Sequence, residues 1–153
     1  RFQEITPRKE GGVSELLGEF SRKLDAKGRL SLPADFRKEL SDNLRMTLSL
    51  DGTCLYIFET EDFNKWVDSL FEARGGFNVG DSNMVRLKLK LNSRASKCEV
   101  DNAGRINISP SLRETVGFDK DVVIVGNGDH IEIWDEERWN QFLLDTDLTA
   151  LCM

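Results

Sequence analysis

FSRKLDAKGRLSLPADFRKEL (residues 20–40) and SKCEVDNAGRINISPSLRETV (residues 96–116) decide the fold, because the second repeats the first. The offset of 76 residues holds without a gap: Asp25 falls on Asp101, Gly28 on Gly104, Arg29 on Arg105 and Arg37 on Arg113. Farther along, Gly52 falls on Gly128, Phe58 on Trp134, Phe63 on Trp139 and Trp66 on Phe142. Identity is low, yet apolar and turn positions keep their order. That marks a duplicated supersecondary unit of about 50 residues.

Within the unit, Phe20, Arg22 and Leu24 alternate with Ser21 and Lys23, the period of a strand. Asp25 to Gly28 reads as a turn, since aspartate caps the amides that follow it and glycine takes positive φ. Leu30 and Leu32 resume the alternation. Pro33 then stops the ladder, and Ala34–Leu40 reads as a short helix with Phe36 and Leu40 inward. In the second copy Ser109 suits the N-cap, Pro110 the first helical position and Gly117 the exit.

Each copy continues into a hairpin. Met46–Leu50 and Cys54–Phe58 flank Asp51-Gly52, and Val122–Val125 and Ile131–Trp134 flank Asn127-Gly128. An amphipathic helix follows each hairpin. Thr60 is the expected cap of the first, with Phe63, Trp66, Val67, Leu70 and Phe71 on one face. Asp135, Glu136 and Glu137 open the second, and Trp139, Phe142 and Leu143 form its stripe. These aromatic stripes read as core rather than as a ligand box.

Neither copy has enough strands to close its own core, so the halves are expected to pack as a pseudo-twofold pair. The organisation is a mobile arm at 1–16, a first module at 17–74, a linker or connecting helix at 75–94, a second module at 95–145 and a tail at 146–153. Residues 82–94 keep two readings. VRLKLKL (85–91) alternates like a strand, while Met84, Leu87 and Leu91 share a helical face.

The 153 residues carry 21 Lys/Arg and 27 Asp/Glu, a net charge of −6. Taken globally, that opposes nucleic-acid binding. The charge is segregated, however. Residues 20–45 hold seven bases and four acids, 84–97 hold five bases and no acid, and 119–147 hold nine acids and two bases. This asymmetry implies one basic working face and one acidic face. Cys54, Cys98 and Cys152 lie far apart and fit a reducing cytoplasm better than a disulfide framework. With His130 as the only histidine, a His-rich metal site is excluded, and no cofactor is expected. The apolar runs are too short for a membrane-spanning helix. No GxSxG, P-loop or HExxH occurs, so an enzyme is not expected.

LGEFSRKLDAKGRLSLPADFRKEL, CEVDNAGRINISPSLRE and VVIVGNGDHIEIWDEERWNQF together resemble the MraZ family, across about Leu17 to Leu143. That family carries two SpoVT-AbrB domains, each with a DxxxR motif, here Asp25 to Arg29 and Asp101 to Arg105. The resemblance implies an α+β fold of tandem AbrB-type swapped-hairpin β-barrel repeats that assembles into rings. It also implies a sequence-specific DNA-binding regulator of the bacterial division and cell-wall gene cluster, bound to repeated promoter elements in the cytoplasm and at the nucleoid. Its partners are then double-stranded DNA and itself, not a membrane or a small-molecule substrate. The alternative is a protein-interaction scaffold or antitoxin-like module on the same fold.

The candidate DNA-binding residues are Arg22, Lys23, Lys27, Arg29, Arg37 and Lys38. Lysine and arginine meet phosphates, and the arginine fork also suits guanine O6 and N7. Arg29 has two readings, a base contact or a partner that stiffens the turn with Asp25. Arg37 has a rival reading too, a surface ion pair with Asp35 or Glu39. Asp25, Gly28, Asp101, Gly104 and Arg105 are read as motif residues with a structural role. The second copy has lost most of its basic neighbours, so the first copy is expected to do most of the DNA work. The bases at 84–97 are expected to form a solvated face or to meet the acidic C-terminal third of another subunit.

Overall fold

The repeat reappears as element order in the computed structural model, which describes residues 15–153. The first copy runs β1 (Leu16–Lys23), β2 (Arg29–Ser31), α1 (Ala34–Glu39), β3 (Leu44–Leu48), β4 (Leu55–Glu59) and α2 (Thr60–Glu72). After α3 (Ser82–Ser93), the second runs β5 (Ser96–Cys98), β6 (Arg105–Asn107), α4 (Pro110–Thr115), β7 (Asp121–Gly128), β8 (His130–Asp135) and α5 (Glu136–Asp145). A 3-10 turn at Leu148–Cys152 closes the α+β chain. Residues 1–14 of the expected arm lie outside the described residues, and Leu16 already belongs to β1, where it is buried.

The strands form a six-stranded antiparallel sheet, ordered β1-β7-β8-β4-β3-β5, and a two-stranded ribbon, β2-β6. Pairing crosses between the copies. β1 lies on β7 from Leu16 opposite Gly128 to Lys23 opposite Asp121, and β5 lies on β3 with Leu44 opposite Cys98. Each copy therefore keeps its own hairpin, β3-β4 or β7-β8, and gives its first strand to the other's hairpin. The hairpins meet at β4-β8, where Ile57 faces Ile131. Gly126 permits the β1 approach, because a β-carbon there would run into the backbone of Leu16 and Leu17.

Inward residues from both copies make one core. Leu30 of β2 and Ile106 of β6 sit in it with Phe36, Leu55, Ile57, Val122, Ile124, Ile131 and Ile133. Full burial of each such side chain is worth about 1.5–3 kcal/mol. Both halves contribute to the same cluster, so duplication and strand exchange build one core. On the outer face of β4, Phe58 lies under Phe63, Val67 and Phe71 of α2 and joins Met84 of α3 in a second cluster.

Residues 82–93 are helical, despite the alternation of VRLKLKL. Asp81 caps the helix, accepting from the amides of Asn83 and Met84 at 3.0 and 3.2 Å. Met84 and Leu91 pack against the α2 cluster, and the Lys88 ammonium sits 4.4 Å from the Phe77 ring centroid. Arg94 leaves the basic run to donate to the carbonyls of Leu48 and Ser49 at 3.2 and 2.7 Å. Ser109 caps α4 as expected, accepting from Leu112 N at 3.3 Å. Thr60 does not cap α2: it is the first residue of the helix, and its hydroxyl donates to the Asn43 carbonyl at 3.1 Å.

Candidate nucleic-acid interface

The two Asp-x-x-x-Arg turns share one wiring. Asp25 Oδ1 accepts from the amides of Lys27 and Arg29, both at 2.9 Å, and Oδ2 accepts from Arg29 Nε at 2.7 Å. Asp101 Oδ1 accepts from the amides of Ala103 and Arg105 at 2.9 Å, and Oδ2 accepts from Arg105 Nε at 3.2 Å. The amide of Arg29, ahead of its side chain, holds the Asp25 carboxyl down at about 2, and the amide of Arg105 lowers Asp101 in the same way. Both carboxylates stay ionised under ordinary conditions. The pairs are half-exposed, so their net stabilisation is small. Their chief effect is orientation. Each aspartate takes its arginine by Nε, and no described hydrogen bond occupies the terminal guanidinium nitrogens.

The turns are locked to each other. The Gly28 carbonyl accepts from Ile108 N at 2.8 Å, and the Gly104 carbonyl accepts from Leu32 N at 3.0 Å. Arg113 donates from Nε to the Ile108 carbonyl at 3.0 Å and lies across Gly28, while Arg37 lies across Gly104. A side chain at either glycine would strike that arginine, and both glycines hold positive φ, +83° and +78°. The ribbon between the turns pairs Arg29 with Asn107, Leu30 with Ile106 and Ser31 with Arg105. Because Leu30 and Ile106 are buried, Arg29, Ser31, Arg105 and Asn107 share the opposite, solvent-facing side.

The structure places the other candidates unevenly. Lys27 and Lys38 are exposed, on the first turn and on α1. Arg37 is also exposed, with its stem against Gly104; among the described residues it pairs with neither Asp35 nor Glu39. Arg22 donates to the Ser21 carbonyl at 2.9 Å and caps the Phe20 ring at 5.7 Å. Lys23 points to the other face of β1, as strand alternation requires. There it meets Asp121 Oδ1 at 2.5 Å, whose hydrogen bond and charge raise its pKa. Arg22 and Lys23 are therefore not brought to one surface.

Two residues outside the expected set, Lys97 and Asn107, join this region together with the motif residue Arg105. Lys97 on β5, Arg105 and Asn107 line an open groove of about 410 Å³ together with Arg29, Glu99 and Asp101. The register that brings Asn107 opposite Arg29 is tertiary, and no local signal in the sequence marks it. Arg113 is the other omission. Its match to Arg37 was visible, but its seat on Gly28 was not.

A second polar cluster lies on the outer face of β8. His130 bonds Asp129 Oδ1 through Nδ1 at 2.8 Å and Glu132 Oε2 through Nε2 at 2.9 Å. Glu132 also accepts from Trp134 Nε1 at 2.9 Å and Asn127 Nδ2 at 3.0 Å. The His130 ring stacks on Phe58 at 4.8 Å. Burial works to lower the His130 pKa, but the bonds to Glu132 and Asp129 prevail and raise it. Burial likewise works to raise Glu132, but its three donors prevail and lower it. Burial, with Glu132 beside it, pushes the Cys54 thiol up to about 12, so it is not an activated nucleophile. Among the described residues no three His, Cys, Asp or Glu side chains gather to hold a metal ion, and no helix is long and apolar enough to cross a membrane.

Comparison with known proteins identifies the family. The family model described as "MraZ protein, putative antitoxin-like" matches residues 16–84 and 91–148, one segment per copy. A transcriptional regulator MraZ of Lachnoclostridium phytofermentans is 38% identical over 123 residues, covering 80% of this chain and 83% of the relative. That of Carboxydothermus hydrogenoformans is 39% identical over 126 residues, 82% and 85% of the two chains. That of Treponema denticola is 36% identical over 133 residues, 86% and 90%. The names of these relatives assign them to transcriptional control rather than to catalysis. With a family model over both repeats and such relatives over most of its length, the chain belongs to the MraZ family.

Proposed function

We propose that this chain is a DNA-binding transcriptional regulator that reads repeated promoter elements of the bacterial division and cell-wall gene cluster. The observation that carries the reading is the β2-β6 ribbon, whose Arg29 is oriented by an ionised Asp25 with its outer nitrogens uncommitted. The exposed Lys27 of the first turn and Arg37 and Lys38 of α1 supply phosphate contacts in this reading, as does Arg22 of β1. Lys23, engaged by Asp121, contributes less. The crossing of first strands between the hairpins supports an AbrB-type swapped-hairpin barrel. The site of action is the cytoplasm and the nucleoid.

Ring assembly belongs to the same reading. α3 carries Arg86, Lys88 and Lys90 beside the exposed Val85 and Leu89. α5 and the tail carry Glu136, Glu137, Asp145 and Asp147 beside Leu144, Leu148 and Leu151, each at least 74% exposed. Two unlike, complementary faces on one chain favour head-to-tail contacts, which close into rings. A ring places several basic faces on one DNA at high effective concentration, which offsets the chain's net acidity. The second reading, a protein-binding antitoxin-like module, rests on the same apolar strip and on the wording of the family description. Sedimentation with a repeat-bearing duplex separates them. Salt-sensitive co-migration of an oligomer with DNA supports the regulator, and an oligomer that ignores DNA at low salt supports the module.

A further inference from the structure

We infer that base recognition is composite: Asn107 of the second repeat reads a base beside the one read by Arg29, and Lys97 anchors the adjacent phosphate. The inference rests on the DNA-binding reading above. It runs against the expectation that the first copy does most of the DNA work alone.

Directly opposed residues of an antiparallel pair carry β-carbons about 4.5–5.5 Å apart on one face. Arg29 and Asn107 are such a pair, as are Ser31 and Arg105. Asn107 is exposed, and no described hydrogen bond occupies its side-chain amide. A free amide offers one acceptor and one donor edge, the complement of adenine N7 and N6, and a free arginine fork complements guanine O6 and N7. A two-stranded ribbon fits the major groove of duplex DNA. The reciprocal seats of Arg113 on Gly28 and Arg37 on Gly104 hold this ribbon rigid before any ligand arrives.

Charge in the groove favours directed donors over bulk attraction. Arg29, Lys97 and Arg105 face Glu99 and Asp101, leaving one net positive charge. General affinity therefore has to come from the cations outside it. Lys97 differs from the others, because its cross-strand partner is Arg45. Like charges directly opposite are unfavourable in a sheet unless an anion lies between or beside them. A DNA phosphate running past the ribbon meets that need.

The test uses the full chain with a promoter duplex bearing the repeats, single-base variants of one repeat, and an unrelated duplex of equal length. Asn107→Ala is expected to lose about ten-fold or more of preference for one base position, consistent with the loss of one bidentate contact. It should leave the unrelated duplex unaffected. Lys97→Ala is expected to weaken all duplexes equally and to make the salt slope shallower by about one. An Asn107→Ala protein with the wild-type base preference overturns the inference while the DNA-binding reading stands. A wild-type protein that binds no duplex overturns both. Circular dichroism and sedimentation of each variant confirm that the fold and assembly are unchanged.

Discussion

Arg37 of the first repeat lies across Gly104 of the second, with its Cδ and Cζ 2.7 Å from where a β-carbon at Gly104 would stand. Arg113 and Gly28 repeat the contact in reverse. The motif glycines thus serve twice, as the positive-φ corner of a turn and as the floor beneath the other copy's arginine.

That double role predicts unequal glycine substitutions. Gly52 also holds positive φ, +75°, but nothing lies within 4 Å of its would-be β-carbon. Gly52→Ala should cost only the backbone strain, about 1–2 kcal/mol. Gly104→Ala should cost distinctly more in urea unfolding, and adding Arg37→Ala should recover part of the difference. Equal losses for the two single variants would remove the steric role of Arg37.

The part-buried His130–Glu132 pair predicts a stability optimum on the acid side of neutrality. His130 is raised from its ordinary 6.5, so its contribution is full below that value and is lost as pH rises through the raised pKa. Glu132 is lowered from 4.5, so its contribution is present above that value and is lost as pH falls. The urea midpoint should be higher at about pH 5.5 than at about pH 8.5, and His130→Gln should flatten the difference. A midpoint that rises into the alkaline range would refute the pairing.

Much of this architecture was legible before any coordinates. The 76-residue offset reappears as repeated element order, and the Asp51-Gly52 turn, Pro33 and the Ser109-Pro110 cap fall where local chemistry puts them, whereas Asn127-Gly128, expected as the second hairpin turn, continues β7 opposite Leu17 and Leu16. The strand exchange was not legible, because period-2 alternation in Phe20–Leu24 says which face is buried but not which hairpin receives it. Residues 85–91 satisfied both periods, and Asp81 together with the α2 cluster decided for helix. In the site, Asp25 and Arg29 announced themselves by spacing. Lys23 did not reveal that it faces Asp121, and Asn107 did not reveal that it faces Arg29, because both depend on pairing partners some 78 or more residues away.

The distribution of uncommitted cations predicts a salt response. Arg22, Lys27, Arg37 and Lys38, joined by Lys97 of the second repeat, remain for phosphates once Lys23 and Arg29 are assigned to Asp121 and Asp25. Five neutralised phosphates give log K against log salt a slope of about −4.5 per subunit. Lys38→Ala should reduce it by about one, whereas Lys23→Ala should change it less. A salt-independent affinity would contradict the phosphate role.

Acid should loosen the Asp-x-x-x-Arg turn. Asp25 sits at about 2 against an ordinary 3.8, so its contribution is complete above the ordinary value and fades as pH falls toward the lowered one. Asp25→Asn removes that dependence and frees Arg29 from its Nε tether. DNA affinity should fall with the variant at neutral pH although the protein becomes less negative. A gain in affinity would mean that charge, and not orientation, governs the site.

The most direct measurement is a fluorescence-anisotropy titration of a repeat-bearing promoter duplex with wild type, Arg29→Lys and Arg29→Ala, each checked by sedimentation. The expected result is salt-sensitive binding by wild type. Preference over an unrelated duplex should be lost in Arg29→Lys although its charge is kept, and affinity lost in Arg29→Ala, both with the oligomer intact. Binding by Arg29→Ala that matches wild type in strength and preference would contradict the account.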